Sequence, residues 1–449
     1  MGLLQNTLAI ISSITGFGLN ISGIRIVAVA HAEKDEVALS KTSLVLQRWS
    51  IITGILGVLI TFLLAKPLSI WTFGTSNYAN WFFILSINFI FSSLAVHKMV
   101  LLQGTRAMKS LAVSTVVYAV LVTLITIPVY YFFRMDGIIP VLVLSAALNY
   151  GVHWFFARKI SLQSVQVSWK ETLSRGKTLI QLGFLLSINV IFGHFTTYLL
   201  KLYFNFQQTS QSVLGLYVVA TTLLVTYVGM IFNAMSTDFY PRLTEVQTDN
   251  SKVKSLVNDQ IEIGLLLITP LLLLFYCFAP LLIKLLYSQD FIDVVFILKF
   301  ALSAIIVKAI IWPLAFIILA KGKKRLYFFQ EIVGDAMNIL FTILFYEYLG
   351  LLGIGVAMFF NYSVYGIYVY RLVKNRFEFD FERETKKVMV VSLLLGVAAV
   401  VTVLLFDYST AYFILPFICI YSFYYSYVTL NNRINIYNYL MKLKGKWKK

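Results

Sequence analysis

The chain has 449 residues, 59% hydrophobic and only 13% charged, with 37 Lys/Arg against 20 Asp/Glu and a formal net charge of +17. That composition leaves no material for a soluble domain with its own core, and it points to an all-α polytopic membrane protein. The basic surplus would suggest nucleic acid in a soluble protein, but here it follows the membrane loops, so no nucleic-acid partner is expected.

Apolar runs of spanning length fall at 5–30, 43–65, 81–102, 109–133, 137–157, 178–203, 213–238, 259–278, 292–320, 325–348, 350–373, 387–406 and 410–430, which predicts thirteen transmembrane helices. Alternate connections, around 31–42, 98–109, 158–177, 242–254, 321–325, 371–387 and 431–449, carry most of the Lys and Arg. The intervening ones carry only Lys66, Arg134, Lys201 and Lys284. The positive-inside rule makes the first set cytoplasmic, including the basic tail Met441 to Lys449. The same charges attract anionic lipids.

Landmarks of the first half recur in the second. Lys66-Pro67-Leu68 returns as Ala279-Pro280-Leu281, the Gly104 turn as the Gly322 turn, Gly137-Ile138 as Gly353-Ile354, and Arg25 as Arg242. The order predicts two repeats of six helices, parallel because six is even, followed by two further helices. The segment 178–203 has no counterpart in the first repeat, so the expectation is a fourteenth helix in roughly 35 missing upstream residues. The predicted domains are an N-terminal bundle over 1–175, a C-terminal bundle over 176–376, and two helices with a tail over 377–449.

Ionisable residues inside the spans are the candidate functional groups, because an unpaired lysine facing lipid costs about 2.5–3.5 kcal/mol. Lys308 lies about fourteen residues before the centre of the Lys321–Lys324 turn and Asp335 about twelve after it, so both are roughly 18–22 Å deep. Glu331 is one turn from Asp335 on the same face. Lys308 is expected to face a polar cavity or to pair with one of these carboxylates. Lys299 reads as a snorkelling side chain. Arg25, Arg48 and Arg242 lie near the inner ends of their helices, where topology alone also places cations. Asn189 and His194 suit hydrogen bonds between helices. Asn149 and His153 share a face but lack further metal ligands, and Cys277 and Cys419 read as small buried hydrophobes. No catalytic set and no metal site is expected.

Gly2-Leu-Leu-Gln-Asn6, Gly23-Ile-Arg25-Ile-Val-Ala-Val-Ala, Pro67-Leu68-Ser69 with Phe73-Gly74 and Tyr78, Tyr240-Pro241-Arg242-Leu243, Leu285-Leu-Tyr-Ser288 with Phe291, Lys308 with Trp312-Pro313, and Ala320-Lys321 through Tyr327 to Glu331 together resemble the Wzx-type polysaccharide or O-antigen flippases, close to enterobacterial common antigen translocases, of the multidrug/oligosaccharidyl-lipid/polysaccharide (MOP) exporter superfamily. The resemblance extends to about residue 376; the family's first helix is absent, and Asp335 has no matching position. It implies a MATE-like two-bundle fold in the bacterial plasma membrane. It also implies transfer of an undecaprenyl-diphosphate-linked oligosaccharide from the cytoplasmic to the periplasmic leaflet, by alternating access through a cationic central cavity. Arg25, Arg48, Arg242 and Lys308 are then candidate substrate-binding cations, and Glu331 and Asp335 candidate coupling or ion-pairing groups. No cofactor is implied beyond H+ or Na+ coupling. The polysaccharide polymerase and chain-length machinery would be downstream partners. The alternatives are a multidrug or ion antiporter of the same superfamily, which favours an acidic cavity, and a polysaccharide polymerase or ligase, which needs larger outer loops.

Overall fold

A computed structural model describes residues 8, 11–33, 35–73, 75–206, 213–406 and 408–434. Among these the chain is helical throughout, with short turns and no strand. Eleven helices among the described residues are long and apolar enough to cross a membrane. The expected span at 178–203 lies in one 38-residue helix, Trp169–Phe206. The first expected span, 5–30, is not a continuous helix: helical turns over 11–15 end in a turn at Gly16–Gly18 before Leu19–Ala32 begins. Phe17 and Gly18 both take positive φ there, and the two glycines flanking Phe17 are the signal for the break. The basic tail beyond 434 and the side chains of Asn189 and His194 lie outside the described residues.

The chain divides into two compact units, Met1–Val190 with Tyr240–Glu245, and Ile191–Phe239 with Val246–Lys449. The first contains α1 (Leu19–Ala32), α2 (Glu36–Leu63), α3 (Ala65–Phe73), α4 (Ala79–Ser86), α5 (Asn88–Gly104), α6 (Met108–Phe133), α7 (Ile138–Ala157) and the start of α8 (Trp169–Phe206). Its packing centres on α5, which lies against α1, α2 and α7. Glycine permits the closest approach: a Cβ on Gly57 of α2 would lie 2.8 Å from the Phe89 side chain of α5, and one on Gly54 would lie 2.5 Å from Ser93 Oγ.

The second unit contains the rest of α8, α9 (Val213–Thr221), a π-helical stretch at Thr222–Tyr227, α10 (Val228–Glu245) as far as Phe239, and then α11 (Asn250–Leu286), α12 (Val294–Ala320), α13 (Lys324–Leu349), α14 (Leu351–Phe377), α15 (Arg383–Leu405) and α16 (Tyr408–Ile434). Apolar on nearly every face, α12 becomes the core and is enclosed by α14, α11 and α15. Polar bonds fasten α15 and the loop before it to α11 and α12. Thr385 donates to Glu262 at 2.6 Å, Ser303 to the Gly396 carbonyl at 3.1 Å, and the Asn258 side chain bonds both Asp380 O and Glu382 N.

The repeat is visible in the backbone of each unit. After α5, Thr105, Arg106, Ala107 and Met108 donate to the carbonyls of Leu101, Gln103, Leu102 and Arg106. After α12, Lys321, Gly322, Lys323 and Lys324 donate to those of Ile317, Leu319, Ile318 and Gly322. These are the same turn 216 residues apart, with Arg106 (φ 58°) in the left-handed position that Gly322 (φ 66°) occupies. The structural register therefore pairs Arg106, not Gly104, with Gly322. The next turns agree at the same offset: Arg134 (φ 47°) donates to Tyr130 O, and Gly350 (φ 58°) to Tyr346 O. Asp35 and Asp249 cap α2 and α11 alike, each accepting from the backbone N–H groups two and three residues on.

Candidate functional site

In the second unit, Lys308 sits mid-way along α12, where a charged group has to find partners. Its partners are aromatic faces: the ammonium lies 5.3 Å from the ring centre of Phe232 on α10 and 5.6 Å from that of Tyr362 on α14. Among the described ion pairs none joins Lys308 to Glu331 or Asp335. The expected pair is absent because α14, not α13, is the main partner of α12. α13 follows in the chain but packs chiefly on α14, so its carboxylates meet α14 first.

Those carboxylates line a cavity of about 430 Å³ shared by α8, α9, the π-helical stretch, α13 and α14. Glu331 accepts from the Tyr365 hydroxyl at 3.2 Å and from Gln330 Nε2 at 3.3 Å. Asp335 is the next turn along. Across the cavity stand Tyr362, the ring that also contacts Lys308, and Asn361, whose buried Oδ1 lacks a hydrogen-bond partner. Lys201 of α8 lines the cavity as well. Lys308 acts on Glu331 through space rather than by contact. The cavity thus offers carboxylates and amides to a ligand, with a lysine behind one of its walls.

The sequence reading did not single out Lys201, Asn338, Asn361, Tyr362 or Tyr365. A signal existed: Glu331, Asp335, Asn338 and Thr342 recur at helical spacing, as do Ile354, Met358, Asn361 and Tyr365. All eight line the cavity.

In the first unit, Arg25 is half-buried on α1 and acts electrostatically on Tyr240, in the segment that carries Arg242. The two repeat-related arginines therefore belong to the same unit. Three residues past Arg242, Glu245 accepts from Arg106 at 3.3 Å. Arg48 is held elsewhere in that unit. It donates to Val167 O at 2.8 Å and Thr172 Oγ1 at 2.7 Å, and its guanidinium lies 4.7 Å over the Trp169 ring, bracing the entry to α8. Lys299 contacts the Phe296 ring at 5.3 Å, and His153 Nδ1 bonds the Asn149 carbonyl.

Several solved structures share the fold. A multidrug resistance MATE family transporter of the MOP superfamily in an outward-facing conformation is 16% identical with a TM-score of 0.67, the match covering 86% of this chain and 88% of that one. A MATE in the bent conformation gives 14% identity and a TM-score of 0.70, covering 87% and 88%. A MOP superfamily transporter from Pyrococcus furiosus, whose reversed pocket polarity is said to suggest a different function, gives 13% and 0.65, covering 81% and 86%. No curated protein sequence matches the chain. A model of the polysaccharide biosynthesis protein family matches residues 6–318. The match over residues 6–318 makes the chain a member of the polysaccharide biosynthesis protein family, and its helices of spanning length in a MATE-like fold make it a multi-pass membrane protein.

Proposed function

We propose that the protein carries an undecaprenyl-diphosphate-linked oligosaccharide, an O-antigen, common-antigen or exopolysaccharide unit, from the cytoplasmic to the periplasmic leaflet of the bacterial inner membrane by alternating access. The observation that carries this reading is Lys308: a cation in the middle of a core helix, held by ring faces rather than neutralised by a carboxylate. Such a cation keeps its field for an anion. Arg25 and Arg242 add positive charge in the other unit. A diphosphate with sugars attached does not cross hydrocarbon unaided, and cations along its path lower that barrier. Leaving an inside-negative cell, each negative charge gains about 2.3 kcal/mol per 100 mV.

Glu331 and Asp335 are assigned to coupling. Two carboxylates a turn apart in a cavity of amides and phenols hold a proton or Na+ and release it when the cavity opens to the other side. The cytoplasmic C-terminus, anionic lipids around the basic loops, and the polymerase and chain-length machinery as recipients complete the reading.

Complementation tests it. In cells lacking their own flippase, the wild-type chain restores surface polysaccharide, whereas Lys308→Ala accumulates in the membrane without restoring it. Normal polysaccharide with Lys308→Ala overturns the role of this lysine.

One observation favours a second reading, the export of cationic small molecules: both carboxylates line the cavity and neither is paired to Lys308. Efflux of ethidium from cells, lost in Glu331→Gln, is its signature.

A further inference from the structure

The first unit contains a second cavity, of about 290 Å³, that none of the sequence candidates lines. It sits at the break between 11–15 and α1 and is closed by α2 and α5. Its lining has no Asp, Glu, Lys, Arg or His, yet it is rich in hydroxyls. Thr15 donates to Ile11 O at 2.9 Å, Thr53 to Ser50 O at 3.1 Å, and Ser93 to Ile90 O at 3.1 Å. Their protons are committed to the helix backbone, so what they turn to a ligand is lone pairs. Ser50 is only 1% exposed, and its hydroxyl has no partner at all. Phe89 supplies an apolar wall.

The helix break borders this cavity. Phe17 at φ 45° is in a region unfavourable for a residue with a Cβ. Interrupted backbone at membrane depth persists where it borders a cavity rather than lipid. Acceptor lone pairs, the Ser50 hydroxyl and the Asn20 amide, with no cation among them, leave a phosphate's charge unbalanced. They suit a neutral ligand with many donors and an apolar face, which describes a pyranose ring.

We propose that this cavity is a neutral saccharide subsite that receives hydroxyl donors of the glycan. Ile21, which lines it, lies four residues before Arg25 on the same face of α1, about 6 Å along the axis. A sugar seated here therefore has its phosphate end near a cation. The inference rests on the flippase reading and assigns the glycan part of it.

The test compares two probes on the purified full chain in nanodiscs: polyprenyl diphosphate alone, and polyprenyl diphosphate carrying a hexose disaccharide. Wild type is expected to bind the glycosylated probe about tenfold more tightly than the bare one. Ser50→Ala and Thr53→Val are each expected to bring that ratio down to about twofold. Thr123→Val, on the exposed face of α6, is the control and keeps the ratio. A monodisperse Ser50→Ala protein that retains the full ratio overturns the subsite, as does a wild type that binds both probes equally. If wild type binds neither probe, the flippase reading itself falls, and the subsite with it.

Discussion

Lys308 occupies a depth at which an ammonium without partners is disfavoured, and the rings of Phe232 and Tyr362 are what the fold provides. Cation–π contacts away from water contribute about 2 kcal/mol each, comparable to the insertion cost of the charge. Tyr362→Leu removes one ring face and should lower stability by about 1–2 kcal/mol, read as an earlier thermal transition in detergent. An unchanged transition would mean that the ring does not hold the lysine. Lys308, Glu331 and Asp335 were legible in the sequence because charge stands out in an apolar helix. Their partners were not, since Tyr362 and Phe232 look like packing residues until two distant helices meet. Nor did spacing reveal that α14 would come between α12 and α13.

At the scale of elements, turns and close approaches fix the helices. A Cβ on Gly183 of α8 would collide with the Phe17 carbonyl oxygen beside the helix break. Gly183→Ala should therefore cost about 1–3 kcal/mol, because the obstacle is backbone; a variant as heat-stable as wild type would show that the break yields easily. Asp249 caps α11, and the Lys252 amide, helped by the Lys252 ammonium and the Ser251 amide, holds its carboxyl below the usual aspartate range. Its contribution is present above the unfolded value of about 3.9 and is lost as pH falls through the lower folded value. Protection of the amides at the start of α11, relative to their intrinsic exchange rate, should fall only below about pH 4 in wild type and already be low at neutral pH in Asp249→Ala. Equal exchange in the two proteins would exclude the cap. These turns were partly legible: glycine and aspartate marked them, but the sequence matched the Gly104 and Gly322 turns two residues out of register. Arg106 takes the left-handed position without the glycine that usually signals it.

For the whole molecule, hydropathy located the spans and the charge of the loops set their expected direction. It could not show that the first span breaks at Gly16–Gly18, because the flanking apolar residues read as continuous. Cys277 and Cys419 are buried, so single cysteines introduced at exposed loop positions report topology cleanly. A cysteine replacing Lys323 should react with an impermeant maleimide only from the cytoplasmic side, and one replacing Lys284 only from outside. The reverse pattern would invert the orientation. The most direct measurement is transport itself: the purified chain in proteoliposomes, with labelled undecaprenyl-diphosphate oligosaccharide in one leaflet and its arrival in the other followed in time. Wild type should move the lipid well above protein-free vesicles, and Lys308→Ala should reduce the rate more than about tenfold. Movement equal to protein-free vesicles, or undiminished in Lys308→Ala, would contradict the central claim that a membrane-buried cation in this fold carries a lipid diphosphate across.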